Sequence, residues 1–104
     1  MFELFKGDTF LKDIRPTNDY RFQVGDKLKV AVMRNEYSTN KFFEKEFEIS
    51  EEAKTLELLI EPEKTSEFET GELLLEFEFT YGDGIVKTTQ YKLVVKEDGI
   101  DGRN

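Results

Sequence analysis

Hydrophobic and polar residues alternate along most of this 104-residue chain. In residues 72–81, every second position from Leu73 to Tyr81 is leucine, phenylalanine or tyrosine, and the positions between are glutamate or threonine except for Leu74. Apolar residues at a spacing of two line one side of a β-strand but scatter around a helix. The same alternation predicts strands in segments 9–14, 27–33, 43–49, 55–60 and 90–96.

Turn-forming residues separate these segments. Gly82-Asp83-Gly84 predicts a tight hairpin, because glycine next to aspartate tolerates the positive φ of such turns. Residues 51–54 could form one helical turn, and residues 62–69 are predicted as a longer connection between sheets. The pattern predicts an all-β protein of about six to eight strands, an antiparallel sandwich or barrel. We predict one domain over residues 1–96 and a flexible polar tail over residues 97–104.

Composition narrows the classes of partner. The chain has ten phenylalanines and four tyrosines, enough for a well-filled core, and a net charge of −8. This charge disfavours nucleic acids and anionic membranes as partners, because both attract basic surfaces. The sequence has no apolar run of about 18 residues and no signal-peptide pattern at its start. We therefore expect synthesis in the cytoplasm.

Catalytic chemistry is not predicted. The chain has no histidine and no cysteine, so Ser38, Ser50 and Ser66 lack the usual general base. The alternating glutamates read as a solvated strand face, since two catalytic carboxylates need a cleft with an apolar pocket. Asp98, Asp101 and Asn104 lack the spacing of a calcium loop. We predict no enzyme activity, cofactor, metal site or small-molecule substrate.

A few apolar residues interrupt the polar faces of the predicted strands. Phe42, Leu59 and Leu74 would point outward and could form an association patch, or a loop could cover them. Tyr37 is the aromatic residue that we predict in a loop, where it could contact a ligand. These four residues are the predicted partner-binding positions.

The order of the turn motifs supports a resemblance. Gly7-Asp8-Thr9-Phe10 opens one strand, Val24-Gly25-Asp26 leads into the next, and Thr70-Gly71-Glu72 precedes the long alternating segment. Gly82-Asp83-Gly84 and Thr88-Thr89-Gln90-Tyr91 follow. This series, over residues 5–96, resembles small phage and prophage proteins of Gram-positive bacteria, and is similar to the N-terminal domain of siphophage upper baseplate proteins.

The resemblance implies an immunoglobulin-like β-sandwich with a structural or assembly role in the tail or baseplate. Its partners would be other phage structural proteins or further copies of the chain, and the protein would be associated with the virion. Two alternatives stay open. One is an immunoglobulin-like domain that recognises carbohydrate or a cell surface, and the other is a small acidic regulator or inhibitor encoded by a mobile element.

Overall fold

The computed structural model describes residues 1–97, so the predicted tail lies outside the described residues from position 98 onward. The described part of the chain is mostly β-structure, as predicted. Its elements are β1 (Phe2–Phe5), β2 (Phe10–Ile14), β3 (Lys27–Met33), β4 (Lys41–Glu48), β5 (Leu56–Ile60), α1 (Pro62–Thr65), β6 (Gly71–Thr80) and β7 (Val86–Lys96). In residues 1–97, no helix is long and apolar enough to cross a membrane.

The seven strands form two sheets. The larger sheet has the order β1-β7-β6-β3-β4, and β2 and β5 form the smaller one. Four of the pairings are antiparallel, but β1 runs parallel to β7, with Phe2 opposite Leu93 and Phe5 opposite Lys96. The predicted antiparallel arrangement therefore holds for four of the five pairings, and the parallel pairing of β1 with β7 departs from it. The sequence pattern missed β1 altogether, because four residues are too few to establish an alternation.

Both sheets contribute to one core. The alternation in β6 and β7 places Leu75 and Leu93 on the inner face, where both are buried. From the smaller sheet, Phe10, Leu58 and Ile60 pack into the same cluster. The polar residues between them face outward, as expected for sheets that are wet on one side. The predicted hairpin at Gly82-Asp83-Gly84 is confirmed, with Gly84 at a φ of +93°.

Two connections differ from the prediction. Residues 51–54 form no helix; instead Ala53 pairs with Phe22 through two backbone hydrogen bonds of 2.8 and 3.0 Å. The helical turn lies in α1, where Pro62 provides a favourable first residue. The buried Thr65 hydroxyl of α1 donates to the Asp8 carbonyl at 2.7 Å. This bond attaches the helix to the loop between β1 and β2.

Phe42 does not point outward, in contrast to the prediction. The register between β3 and β4 shifts after Val32, which pairs with Phe43, so that Met33 pairs with Lys41 and Phe42 is the extra residue of a bulge. Its ring packs against the core, with its centroid 6.0 Å from that of the fully buried Phe68. The bulge reverses the face that simple alternation assigns to this side chain.

Candidate binding cleft and sheet edge

An aromatic cleft of about 390 Å³ lies between β2 and the inner face of β6 and β7. It exists because the smaller sheet covers only part of the long β6–β7 hairpin. Phe77, Phe79 and Tyr81 are therefore half-buried, and Tyr91 is 39% exposed, although all of them lie on the inner face. We call this space, with Phe2, Phe77, Phe79, Tyr81 and Tyr91 as its main aromatic lining, the aromatic cleft.

The rings of the cleft hold each other in edge-to-face contact. The Tyr91 ring centroid lies 5.3 Å from that of Phe2 and 5.8 Å from that of Phe77. Further along the hairpin, the Phe79 and Tyr81 centroids are 4.6 Å apart. Edge-to-face pairs of this kind fix ring positions beyond what burial alone provides. The cleft is therefore an apolar surface of partly accessible rings that hold one another in position, and Tyr91 is the most exposed of them.

Three cations line the cleft of this acidic protein. Lys12 points inward from β2, and its Nζ lies 5.7 Å from the Phe2 ring centroid and 5.9 Å from that of Phe10. Lys87 lies on the inner face of β7, 5.9 Å from the Tyr81 centroid, and Arg15 follows β2. Within residues 1–97, no carboxylate oxygen lies within 4.0 Å of any of these three cations. Asp13, which lies opposite Glu57 of β5, also contributes to the lining of the cleft, so three cations and one carboxylate that makes no ion pair with them line it.

A buried carboxylate fixes one end of the cleft. Asp26 accepts hydrogen bonds from the Tyr20 hydroxyl at 2.7 Å and the Gln23 amide at 2.8 Å, and from the Gly82 amide at 2.9 Å. Burial and the bond to Asp26 raise the pKa of Tyr20 from 10.0 to about 12, because both disfavour the phenolate. The Tyr20 ring in turn packs 5.3 Å from Tyr81. Asp26 thus attaches the tip of the β6–β7 hairpin to the segment that leads into β3.

One side of β7 is unpaired beside the cleft. β1 covers β7 only from Leu93 to Lys96, so residues 86–92 have no partner strand on the side away from β6 within the described part of the chain. The Tyr81 amide donates to the Ile85 carbonyl, and the Lys6 amide to the Lys96 carbonyl. Backbone groups alternate in direction along an antiparallel pair, so those of Val86, Thr88, Gln90 and Lys92 point away from β6. We call residues 86–92 on this side the free edge.

The predicted partner-binding residues lie on different surfaces. Tyr37 is 84% exposed in the loop between β3 and β4. Leu59 is exposed on the outer face of the smaller sheet, directly opposite the exposed Leu11, which the sequence analysis did not single out. Leu74 is half-buried on the outer face of the larger sheet beside Met33. With Phe42 packed on the core, the structure does not bring these residues together into one patch.

The aromatic cleft itself was missed by sequence reasoning. The alternation placed its rings on the inner face correctly, but it contained no signal for how far the second sheet would extend over them. The cations at Lys12, Arg15 and Lys87 are separated along the chain and meet only through the fold. Comparison with known proteins adds no further assignment, since no family model, no curated protein and no solved structure matches this chain.

Proposed function

We propose that this chain is a non-enzymatic structural or assembly protein of phage or prophage origin, of the tail or baseplate, that acts through protein–protein contact. The order of the turn motifs supports the phage origin through the resemblance described above. The observation that supports protein–protein contact is the free edge of β7. Within residues 1–97, four residues of β7 present unpaired backbone donors and acceptors there. A sheet edge of this kind binds an extended segment of another chain by adding it as a strand.

We also propose that the two sheets form an immunoglobulin-like sandwich. The order β7-β6-β3-β4 in one sheet and the pairing of β2 with β5 in the other match the order of strands G-F-C-C′ and B-E in a variable-type immunoglobulin domain. The hairpin at Gly82-Asp83-Gly84 would then correspond to the loop between strands F and G. In such domains, loops at that end of the sandwich bind ligands.

The test is a substitution that blocks the free edge without disturbing the β6–β7 ladder. Thr88→Pro removes a backbone N–H that points away from β6, and proline is tolerated on edge strands. Thr39→Pro, in the exposed loop before β4, is the matched control. Circular dichroism and thermal melting of both variants establish that the β-fold is retained.

The two variants and the unmodified chain are produced in the strain that encodes the protein, and phage particles are purified after prophage induction. Quantitative mass spectrometry should recover the unmodified chain and Thr39→Pro at a fixed ratio to tail proteins. Thr88→Pro should be absent from the particles but present in the lysate. Absence of the unmodified chain from particles would overturn the structural role and favour the intracellular regulator.

A second candidate function is carbohydrate or cell-surface recognition. The observation in its favour is the partly exposed Tyr91 ring beside Phe2 in the aromatic cleft, a more enclosed site than the isolated Tyr37. Oligosaccharide binding that quenches tyrosine fluorescence should then be lost in Tyr91→Ala and retained in Tyr37→Ala. Loss in Tyr37→Ala alone would move the site to the loop.

A further inference from the structure

We infer that the free edge and the aromatic cleft form one site for an extended acidic segment of a partner protein, with a large apolar side chain flanked at alternate positions by carboxylates. This inference rests on the proposed function and adds the chemistry of the partner. It follows from three features of the described residues: the direction of the free backbone groups, the position of the cleft relative to β7, and the sign of the charges around it.

The direction of the free backbone groups of β7 determines where the side chains of an added strand would lie. A strand added to residues 86–92 would pair with the outward groups of residues such as Thr88 and Gln90. Alternate side chains of that strand would lie on the inner face, next to Lys87, Thr89 and Tyr91, which line the cleft. One of those side chains would therefore enter an apolar space that the described residues of the chain leave open.

The charges around the free edge predict which side chains flank the apolar side chain of the partner segment. On the outer face of the hairpin, Glu72 lies 3.5 Å from Lys92, and Glu76 accepts a hydrogen bond from Gln90 at 2.9 Å. On the inner side, the cleft cations have no carboxylate within ion-pair distance among residues 1–97. The three cations outnumber Asp13, the carboxylate of the lining, so the inner side of the free edge carries an excess of positive charge although the whole protein is acidic. Carboxylates at the alternate positions of an added strand would meet Lys87 on one wall and Lys12 and Arg15 on the other.

The probe is a set of blocked heptapeptides that read the same in either direction, so that parallel and antiparallel addition are both allowed. The acidic peptide is Thr-Glu-Thr-Trp-Thr-Glu-Thr, and its partners carry lysine or glutamine in place of glutamate. Because the chain has no tryptophan, all indole fluorescence comes from the peptide, and a change in that fluorescence reports peptide binding. Burial of the indole in the cleft should shift its emission to shorter wavelength.

We expect the acidic peptide to bind roughly three- to tenfold more tightly than the lysine peptide, as for a pair of partly exposed ion pairs. The glutamine peptide should fall between them, and added salt should reduce the difference by screening. Lys87→Glu should weaken the preference, because only Lys12 and Arg15 of the cleft cations remain. Lys64→Glu, which makes the same charge change in α1 away from the cleft, should leave it unchanged. Equal binding of the three peptides, or an equal effect of the two variants, would overturn the acidic specificity.

The Thr88→Pro variant separates this inference from the proposed function. Loss of all peptide binding in that variant, without any charge preference in the unmodified chain, would retain strand addition but reject the acidic partner. Peptide binding that survives Thr88→Pro, or no binding by any peptide, would overturn both strand addition at the free edge and the acidic partner. Sedimentation equilibrium tests whether a second copy of the chain occupies the site. A dimer that dissociates in Thr88→Pro would identify that copy as the occupant and would overturn the inference of an acidic partner segment. Displacement of the acidic peptide by a neutral oligosaccharide would likewise overturn it in favour of carbohydrate.

Discussion

The two ends of the β6–β7 hairpin have the same alternating sequence but different environments. At the end farther from the Gly82-Asp83-Gly84 turn, which we call the closed end, the inner face is buried in the core cluster that both sheets share. The buried residues there are Leu73 and Leu75 of β6 and Leu93 and Val95 of β7. The end nearer the turn, which we call the open end, lines the aromatic cleft. Its rings remain partly accessible; they are those of Phe77, Phe79, Tyr81 and Tyr91. Leucine and valine fill the closed end, whereas aromatic residues occupy the open end.

The difference shows that an apolar strand face is not by itself evidence of a core. Whether such a face becomes core or binding surface depends on the length of the sheet packed against it. Here β2 has five residues and β5 has five, whereas β6 has ten and β7 has eleven. The excess length of the hairpin creates the open end. Among residues 1–97, no strand of the smaller sheet covers that end, and buried Asp26 holds it in place through the Gly82 amide.

The largest expected effect on stability distinguishes Leu93 from Tyr91, which are neighbours on the inner face of β7. Leu93→Ala should lower the free energy of unfolding by about 2–5 kcal/mol, because it leaves a cavity in the closed end. Tyr91→Ala should cost about 1 kcal/mol or less, since this ring is already partly hydrated. Urea denaturation of both variants measures the difference. Equal losses would mean that the open end is packed like the closed end.

A smaller effect is expected from the carboxylate that supports the open end. Asp26→Ala should cost about 1–3 kcal/mol, because it leaves buried amide donors without an acceptor. Hydrogen exchange should accelerate in residues 77–91 and remain slow around Leu93. Tyr20→Phe, which removes only the hydroxyl donor to Asp26, should have the milder effect of the two. Uniform acceleration along the whole hairpin would contradict a local role for Asp26.

The smallest effect is a pH dependence confined to alkaline solution. The pKa of Tyr20 is raised in the folded chain, so the folded state holds this proton more strongly than the unfolded state does. The resulting stability is present in full below pH 10.0 and is lost as the pH rises towards about 12. Urea midpoints measured across this range should fall less steeply for Tyr20→Phe than for the unmodified chain.

Tyr37→Phe is the control for this titration, because Tyr37 is exposed in its loop and lies outside the hydrogen bonds of Asp26. It should follow the unmodified chain at every pH. Identical slopes for Tyr20→Phe and the unmodified chain would show that the bond to Asp26 does not contribute to the alkaline loss of stability.

Alternation alone predicted much of the fold. It located β6 and its hairpin with β7, and it assigned the inner faces of β3 and β5 correctly. Local pattern could not predict the parallel pairing of β1 with β7, because register between distant strands depends on the whole core. It also misplaced Phe42, because a bulge changes the face of one residue without changing the pattern around it.

The candidate site was less predictable than the fold. Lys12 reads as an ordinary charged residue in a short strand, and only the pairing of β2 with β5 turns it towards Phe2. Tyr91 and Leu93 have equivalent places in the sequence pattern but opposite environments in the structure. A cleft arises where one sheet ends and another continues, and single-strand periodicity contains no information about that boundary.

The parallel pairing of β1 with β7 also has a consequence for how the chain folds. Phe2 pairs with Leu93, and the Glu3 carboxylate lies 3.3 Å from the Lys96 ammonium group, so β1 cannot complete its pairing until β7 has been synthesised. Closing so long a loop is slow. Until it closes, Leu4 stays exposed to solvent and β7 stays open along its whole length. At high concentration, β1 of one copy could dock on β7 of another, and the chain would exchange its first strand instead of folding alone.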